Sequence, residues 1–275
     1  MKPLSPAVRA FKNTLRRAPS PGRVDLQLCD ASGVGTLTLR NAAARNALSP
    51  PMMAGLHDAV ETLRGWDGGA AVVVTGEGGA CCAGADLSAA RGGGALATPE
   101  AGALMSELVA ATLAGLRDLP LVSVAAVDGH AVGGGAELAT ATDWRCLGAG
   151  ATLRFVHAKM GVSPGWGGAG RLAALAGRPA ALRLLLHAPA VGAAEAMRLG
   201  LADAVGAEGE PAADAARRLL LSPALATAAG RRTIRAIKRA VAGDEAAEAE
   251  AFASTWGGAE NLAAIKRNSK GRPGS

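Results

Sequence analysis

The sequence predicts an α/β architecture with helices packed outside the sheets. Three observations carry that prediction. Short apolar runs alternate with stretches of helical spacing, in the order strand, strand, helix, strand, helix, strand, helix. Thirty-eight glycines cluster beside the apolar runs, which marks turns and backbone brought close to something. Hydrophobic residues make up 49% of the 275-residue chain and charged residues 19%, the balance of a globular protein with a sizeable core.

The elements follow in order. Residues 1–24 hold Lys2, Arg9, Lys12, Arg16, Arg17 and Arg23 with no acid. Two readings stay open there: a short surface helix over Ala7–Arg17, which is favoured, and an organellar transit peptide. Val24–Cys29 and Val34–Leu39 alternate with period two and predict two opening strands. Ser49 then reads as an N-cap with Pro50 at the first helical position, and Met53, Leu56, Val60 and Leu63 follow at helical spacing. Ala71–Val74 predicts a short buried strand ending in the glycine-rich turn Thr75–Gly79. Ser88–Thr98 is rich in Gly and Ala and predicts a mobile stretch. A helix is expected over Pro99–Leu116, a strand over Leu121–Val127, a helix over Gly134–Thr142 and a strand over Trp144–Leu147. From Pro179 onward the chain reads as helices only, with long ones near Ala224–Ala242 and Glu245–Arg267. The domain reading is a basic helical extension at 1–23, a core at 24–205 and a helical region at 206–275.

Bulk properties exclude several classes. No apolar run approaches the ~20 residues a spanning helix needs, so no membrane partner is expected. The net charge is +6, but only 3% of residues are aromatic, so nucleic acid is not expected as a partner. The basic clusters Arg231–Arg239 and Lys266–Arg272 read first as solvated helix faces. Cys29, Cys81, Cys82 and Cys146 show no metal spacing, and no secretory signal is seen. The expectation is a reduced, cytoplasmic protein with no metal site; mitochondrial import stays open because of the basic N-terminus.

Four stretches carry chemistry. In DGHAVGGGAEL, Asp128–Leu138, three glycines lie between an apolar strand and a helix-forming run. Such a junction offers unpaired N–H donors to a developing negative charge, though glycine triplets also mark tight packing. A second small-residue loop, ACCAGADL at Ala80–Leu87, again follows a buried strand. Two such loops after two strands can supply paired N–H donors to one carbonyl oxygen, although one alone is unremarkable. The third and fourth stretches are Arg154–Gly168, RFVHAKMGVSPGWGG, and Val191–Val205, VGAAEAMRLGLADAV.

Together, in this order and spacing, the four stretches resemble the crotonase (enoyl-CoA hydratase/isomerase) superfamily, over about residues 24–267. The resemblance implies a spiral of ββα repeats, a C-terminal helical trimerisation region and an acyl-CoA thioester substrate, with no cofactor beyond that CoA. It places an oxyanion hole at the backbone N–H groups of Ala85 and Gly134. It assigns Arg45, Gly84, Asp86, Gly133 and Trp166 to contacts with the thioester or its CoA. The family's usual proline is absent from the Arg45 segment, Asn41–Leu48. Hydratases of the family use two glutamates around a water. Glu137 matches the first, but the second position holds His157, which decides against hydration. The chain has no tyrosine, so a phenolic donor is excluded.

Trp166, where hydratases tend to have a small residue, and the segment Thr255–Arg267 look like the ethylmalonyl-CoA decarboxylase branch. Trp256 is otherwise read as a core residue of a C-terminal helix. The resemblance implies decarboxylation of a 2-alkylmalonyl-CoA through a thioester enolate, by a homotrimer or dimer of trimers. Glu137 and His157 are both candidates for returning the proton. The alternatives are an enoyl-CoA hydratase or isomerase using Glu137, and a non-catalytic trimer that binds acyl-CoA or RNA.

Overall fold

The computed structural model describes residues 3–91 and 96–269. Helix α1 (Pro6–Arg16) is capped by Ser5, whose side chain accepts from the Val8 N–H, and it buries Val8 and Leu15 completely. It packs on α2 (Pro50–Arg64), where Lys12 pairs with Asp58 at 3.0 Å. The basic N-terminal stretch is therefore an integral amphipathic helix.

Strand β1 (Arg23–Gln27) pairs antiparallel with β2 (Val34–Arg40). In β2 the buried residues Leu37 and Leu39 alternate with half-buried threonines, as a strand with one face in the core requires. The sheet continues in parallel through β3 (Ala71–Gly76), β4 (Val122–Val127), β6 (Trp144–Leu147) and β9 (Ala204–Val205). A second sheet holds β5 (His130–Val132), β7 (Thr152–Arg154) and β8 (Val191–Gly192). From β4 onward the chain steps between the sheets. β4 and β5 lead into α4 (Gly134–Ala139), and β6 and β7 lead to α5 (Gly168–Ala176) and α6 (Arg178–His187). β8 is followed by α7 (Ala193–Arg198) and then by β9.

Alternate residues of the large sheet feed two cores. Val72, Val74, Ala125 and Val127 face the core shared with α1, α2 and α3 (Pro99–Arg117). Ala71, Val73, Val124 and Ala126 face α8 (Ala212–Leu219), which buries Ala212, Ala215 and Ala216 against them. Both faces of the central strands are covered, so they read as continuous apolar runs.

Several expectations need correction. β8 and β9 lie beyond Pro179, where only helices were expected. The long C-terminal helix is two, α10 (Glu245–Thr255) and α11 (Ala259–Ser269), interrupted by Gly257 at φ 73°. A left-handed glycine ends a helix at little steric cost. α9 (Ala228–Ala242) is not a uniformly solvated basic face. Arg231 donates to the carbonyls of Asp30, Ala31 and Gly68, Arg235 donates to those of Trp66 and Gly69, and the buried Lys238 pairs with Asp143. These contacts tie α9 to the loops at one end of the sheet. The expected mobile stretch Ser88–Thr98 includes residues 92–95, outside the described residues. Beside it, Leu87–Ala90 forms a 3-10 turn, and the Leu96 N–H donates to Ala89 O at 3.0 Å. The cluster Lys266–Arg272 likewise runs past the described residues.

Candidate active site

The site is built where two loops meet beneath one tryptophan. The first loop, Asn41–Leu48, is held by its asparagines. Asn46 Nδ2 donates to the carbonyls of Glu77 (2.8 Å) and Ala80 (2.7 Å), and Asn46 Oδ1 accepts from the Asn41 N–H at 2.9 Å. Arg45 and Asn46 both sit in the left-handed region, at φ 52° and 55°. Buried amide bonds thus shape a segment that lacks the family's proline. The loop is zipped to the Ala80–Leu87 loop. The Ala83 N–H donates to Arg45 O, the Leu48 N–H to Gly84 O and the Asp86 N–H to Leu48 O, at 2.7–3.0 Å. That pattern skips Ala85, whose N–H has no partner among the described residues.

Gly84 brings the two halves together. At φ 94° it lies so close to the glycine triplet that a Cβ would stand 2.8 Å from Val132 O and 3.0 Å from Gly134 N. The Gly134 N–H also has no partner among the described residues. Gly133, at φ 54°, turns the chain and donates its N–H to Arg154 O at 2.8 Å. A Cβ on Gly134 would fall 2.0 Å from Trp166 Cζ3, so the indole lies directly against this glycine. Two neighbouring, unpartnered backbone donors are the arrangement that stabilises an oxyanion.

Glu137, one helical turn further on and 2% exposed, is enclosed. Its Oε2 accepts from the backbone N–H groups of Trp166 (3.0 Å) and Gly168 (2.7 Å), and its Oε1 lies 2.9 Å from His157 Nε2. Gly168 has to be glycine, since a Cβ would stand 2.3 Å from Glu137 Cγ. His157 is buried as well, and its Nδ1 is a buried atom with no hydrogen-bond partner in the protein. Arg171 braces the arrangement. It donates to the carbonyls of Glu137 (2.9 Å) and Trp166 (3.0 Å) and to Thr140 Oγ1. Burial pushes its guanidinium down to about 10, with Glu137 opposing. Burial also pushes the Cys82 thiol beside this site up to about 12, which leaves no thiolate nucleophile there.

Seven of the residues singled out from the sequence are brought together here: Gly84, Ala85, Gly133, Gly134, Glu137, His157 and Trp166. The other two stand apart. Asp86 accepts from the Ser88 N–H at 2.9 Å and caps the following 3-10 turn. The exposed Arg45 side chain lines a groove of about 430 Å³ with Ala83, Val132, His130 and Arg154. Asn46, Gly168 and Arg171 were missed. Only the glycine-rich run after Trp166 hinted at any of them.

A chain with this fold and these loops matches the enoyl-CoA hydratase/isomerase family over residues 30–260. It belongs to that family. Among curated relatives of this crotonase-type chain, ethylmalonyl-CoA decarboxylase of Danio rerio is 42% identical over 260 residues. That match covers 90% of this chain and 84% of the relative. Ethylmalonyl-CoA decarboxylase of Rattus norvegicus is 37% identical, covering 94% and 87%. Among solved structures, an enoyl-CoA hydratase from Polaromonas sp. JS666 is 26% identical with a TM-score of 0.77, covering 92% of this chain and 99% of that one. DspI of Pseudomonas aeruginosa is 27% identical with a TM-score of 0.77, covering 94% and 98%. The crotonase fold expected from the sequence is the fold observed. No described helix is long and apolar enough to cross a membrane.

Proposed function

We propose that this crotonase-family chain decarboxylates a 2-alkylmalonyl-CoA, ethylmalonyl-CoA foremost, to the corresponding acyl-CoA. The observation that carries the reading is the state of Glu137. Hydration needs one group to hold and deprotonate a water and a second to deliver a proton. Three protein donors already surround the Glu137 carboxylate, out of roughly four acceptor positions. The partner beside it is an imidazole, not a second carboxylate, and the Trp166 indole fills the space over Gly134. The relatives named ethylmalonyl-CoA decarboxylase support the same reaction.

In this reading the thioester oxygen accepts from the N–H groups of Ala85 and Gly134. The bond between C2 and the carboxylate breaks, and its electron pair becomes the C1–C2 double bond of the enolate. The carbonyl π pair moves onto the oxygen, and CO₂ leaves. Each oxyanion donor contributes about 3 kcal/mol to the transition state. Arg45 and Arg154 face the groove that begins at Ala83 and Val132, and they supply cationic partners for the phosphates of CoA. The reaction asks for no cofactor beyond the CoA of the substrate. The exposed apolar side chains of α10 and α11 fit assembly as a homotrimer or dimer of trimers.

The test is the purified protein incubated with malonyl-, methylmalonyl-, ethylmalonyl- and crotonyl-CoA, with products resolved by mass. Conversion of ethylmalonyl-CoA to butyryl-CoA is expected. Hydration of crotonyl-CoA without any decarboxylation would overturn the reading.

A further inference from the structure

We infer that His157 is the catalytic acid that returns a proton to C2, acting through Nδ1, and that Glu137 is a positioning residue. This rests on the decarboxylase reading for its substrate, but its argument is the geometry of the pair.

The two side chains are not equivalent. Glu137 has both oxygens engaged by donors of the protein: His157 Nε2, Trp166 N and Gly168 N. To give up a proton it would first have to carry one, and its Oε2 faces two backbone N–H groups that cannot accept a hydrogen bond. A proton there would set donor against donor, at a cost of about 1–3 kcal/mol for each buried bond lost. Glu137 is therefore built to accept.

His157 is built the other way. With Nε2–H donating to Glu137 Oε1, the ring orientation and tautomer are fixed. The remaining nitrogen, Nδ1, is buried with no protein partner. A buried polar atom left unpaired is uncommon and calls for an explanation. A reacting group of the substrate supplies one. The carboxylate that fixes one imidazole nitrogen while the other handles the proton is a general arrangement for acid–base catalysis. The two backbone donors, Trp166 N and Gly168 N, hold the Glu137 carboxylate in place as the proton leaves Nδ1.

The step balances as follows. His157 begins with a proton on each nitrogen. After CO₂ leaves, Nδ1–H gives its proton to C2, and the enolate electron pair forms the new C–H bond. The thioester carbonyl re-forms, releasing the N–H groups of Ala85 and Gly134. His157 is left neutral, still donating Nε2–H to Glu137, and takes a proton from solvent before the next turnover.

A resident donor delivers to one face of the enolate. In D₂O, ethylmalonyl-CoA should give a single enantiomer of 2-deuteriobutyryl-CoA with the parent enzyme. His157→Gln keeps an N–H for Glu137 but cannot deliver a proton, and it should give both enantiomers equally. Glu137→Gln should lower kcat about 10–100-fold with KM within a few-fold, yet keep a single enantiomer because the donor is still present. Retained stereospecificity in His157→Gln, or its loss in Glu137→Gln, overturns the assignment. His157→Ala serves the same test should His157→Gln fail to fold. A second measurement separates this inference from the decarboxylase reading. Exchange of the C2 hydrogen of butyryl-CoA with D₂O needs only the enolate and the donor. It should fall about 10²–10⁴-fold in His157→Gln. Equal exchange in the two proteins overturns the role of His157 whether or not CO₂ is released.

Discussion

Two tryptophans mark two regions of the molecule that are held in different ways. Trp166 is 4% exposed, its ring lies on Gly134, and its backbone N–H and C=O are bonded to Glu137 and Arg171. Trp256 is 63% exposed and stacks on Phe252, itself 60% exposed, with ring centroids 5.3 Å apart. It is therefore not the core residue that one reading of the sequence made it. Around Trp166 the chain packs tightly, with the indole against Gly134 and Glu137 Oε2 bonded to two backbone N–H groups. Around Trp256 helix α10 packs on α9 but buries only Ala251, and it leaves Phe252 largely exposed. Trp166 is enclosed by its own chain, whereas the terminal helices leave Phe252, Trp256, Leu262 and Ile265 exposed.

That contrast can be broken at either end. The largest effect is expected at Gly134. Any side chain there meets the Trp166 ring at 2.0 Å and crowds one oxyanion donor. Gly134→Val should lower decarboxylation at least about 10²–10³-fold, the value of one such donor. Because Trp166 must move, a stability loss should accompany it. A well-folded Gly134→Val protein with parental turnover would remove this site from the account.

Next comes Glu137→Ala. It strands His157 Nε2 and the N–H groups of Trp166 and Gly168 in a buried space. Urea unfolding should show a loss of about 3 kcal/mol or more. Arg231→Ala removes the ties from α9 to the carbonyls of Asp30, Ala31 and Gly68 and should cost about 1–3 kcal/mol in the same measurement. Trp256→Ser should change the stability of the isolated chain by no more than about 0.5 kcal/mol. Its effect should appear instead as a lower oligomer mass in sedimentation velocity. A large loss of chain stability without change of assembly would dissolve the contrast.

The smallest effect is electrostatic. The hydrogen bond from Arg23, helped by Arg40 and opposed by burial, holds the Asp25 carboxyl below its ordinary value. A depressed carboxyl contributes stability that is present above the ordinary carboxylate range and is lost as pH falls through the depressed value. Asp25→Asn should therefore be slightly less stable than the parent near neutrality and equal to it in strong acid. A difference that grows with acid would reverse the sign and refute the pairing.

The sequence made the long elements legible because their periodicity is local. Leu37 and Leu39 in β2, and Met53, Leu56, Val60 and Leu63 in α2, report their faces directly. β5, β7, β8 and β9 have two or three residues each, too few to carry a period, and their partners alone define them. The site divides in the same way. The glycine triplet and Glu137 stand together in one segment. The contact between Glu137 and His157 spans twenty residues, and the brace from Arg171 spans thirty-four. Such contacts exist only once the spiral has closed. Asn46, Gly168 and Arg171 carry no chemistry of their own to announce them; they matter through the backbone they hold.

The central claim is that this site releases CO₂ and does not add water. The most direct measurement places ethylmalonyl-CoA, labelled with ¹³C in its free carboxylate, and crotonyl-CoA in one tube with the parent enzyme. The account predicts release of ¹³CO₂ and accumulation of unlabelled butyryl-CoA while crotonyl-CoA stays intact. Crotonyl-CoA gaining the mass of water while the ¹³C label stays on its thioester would contradict it.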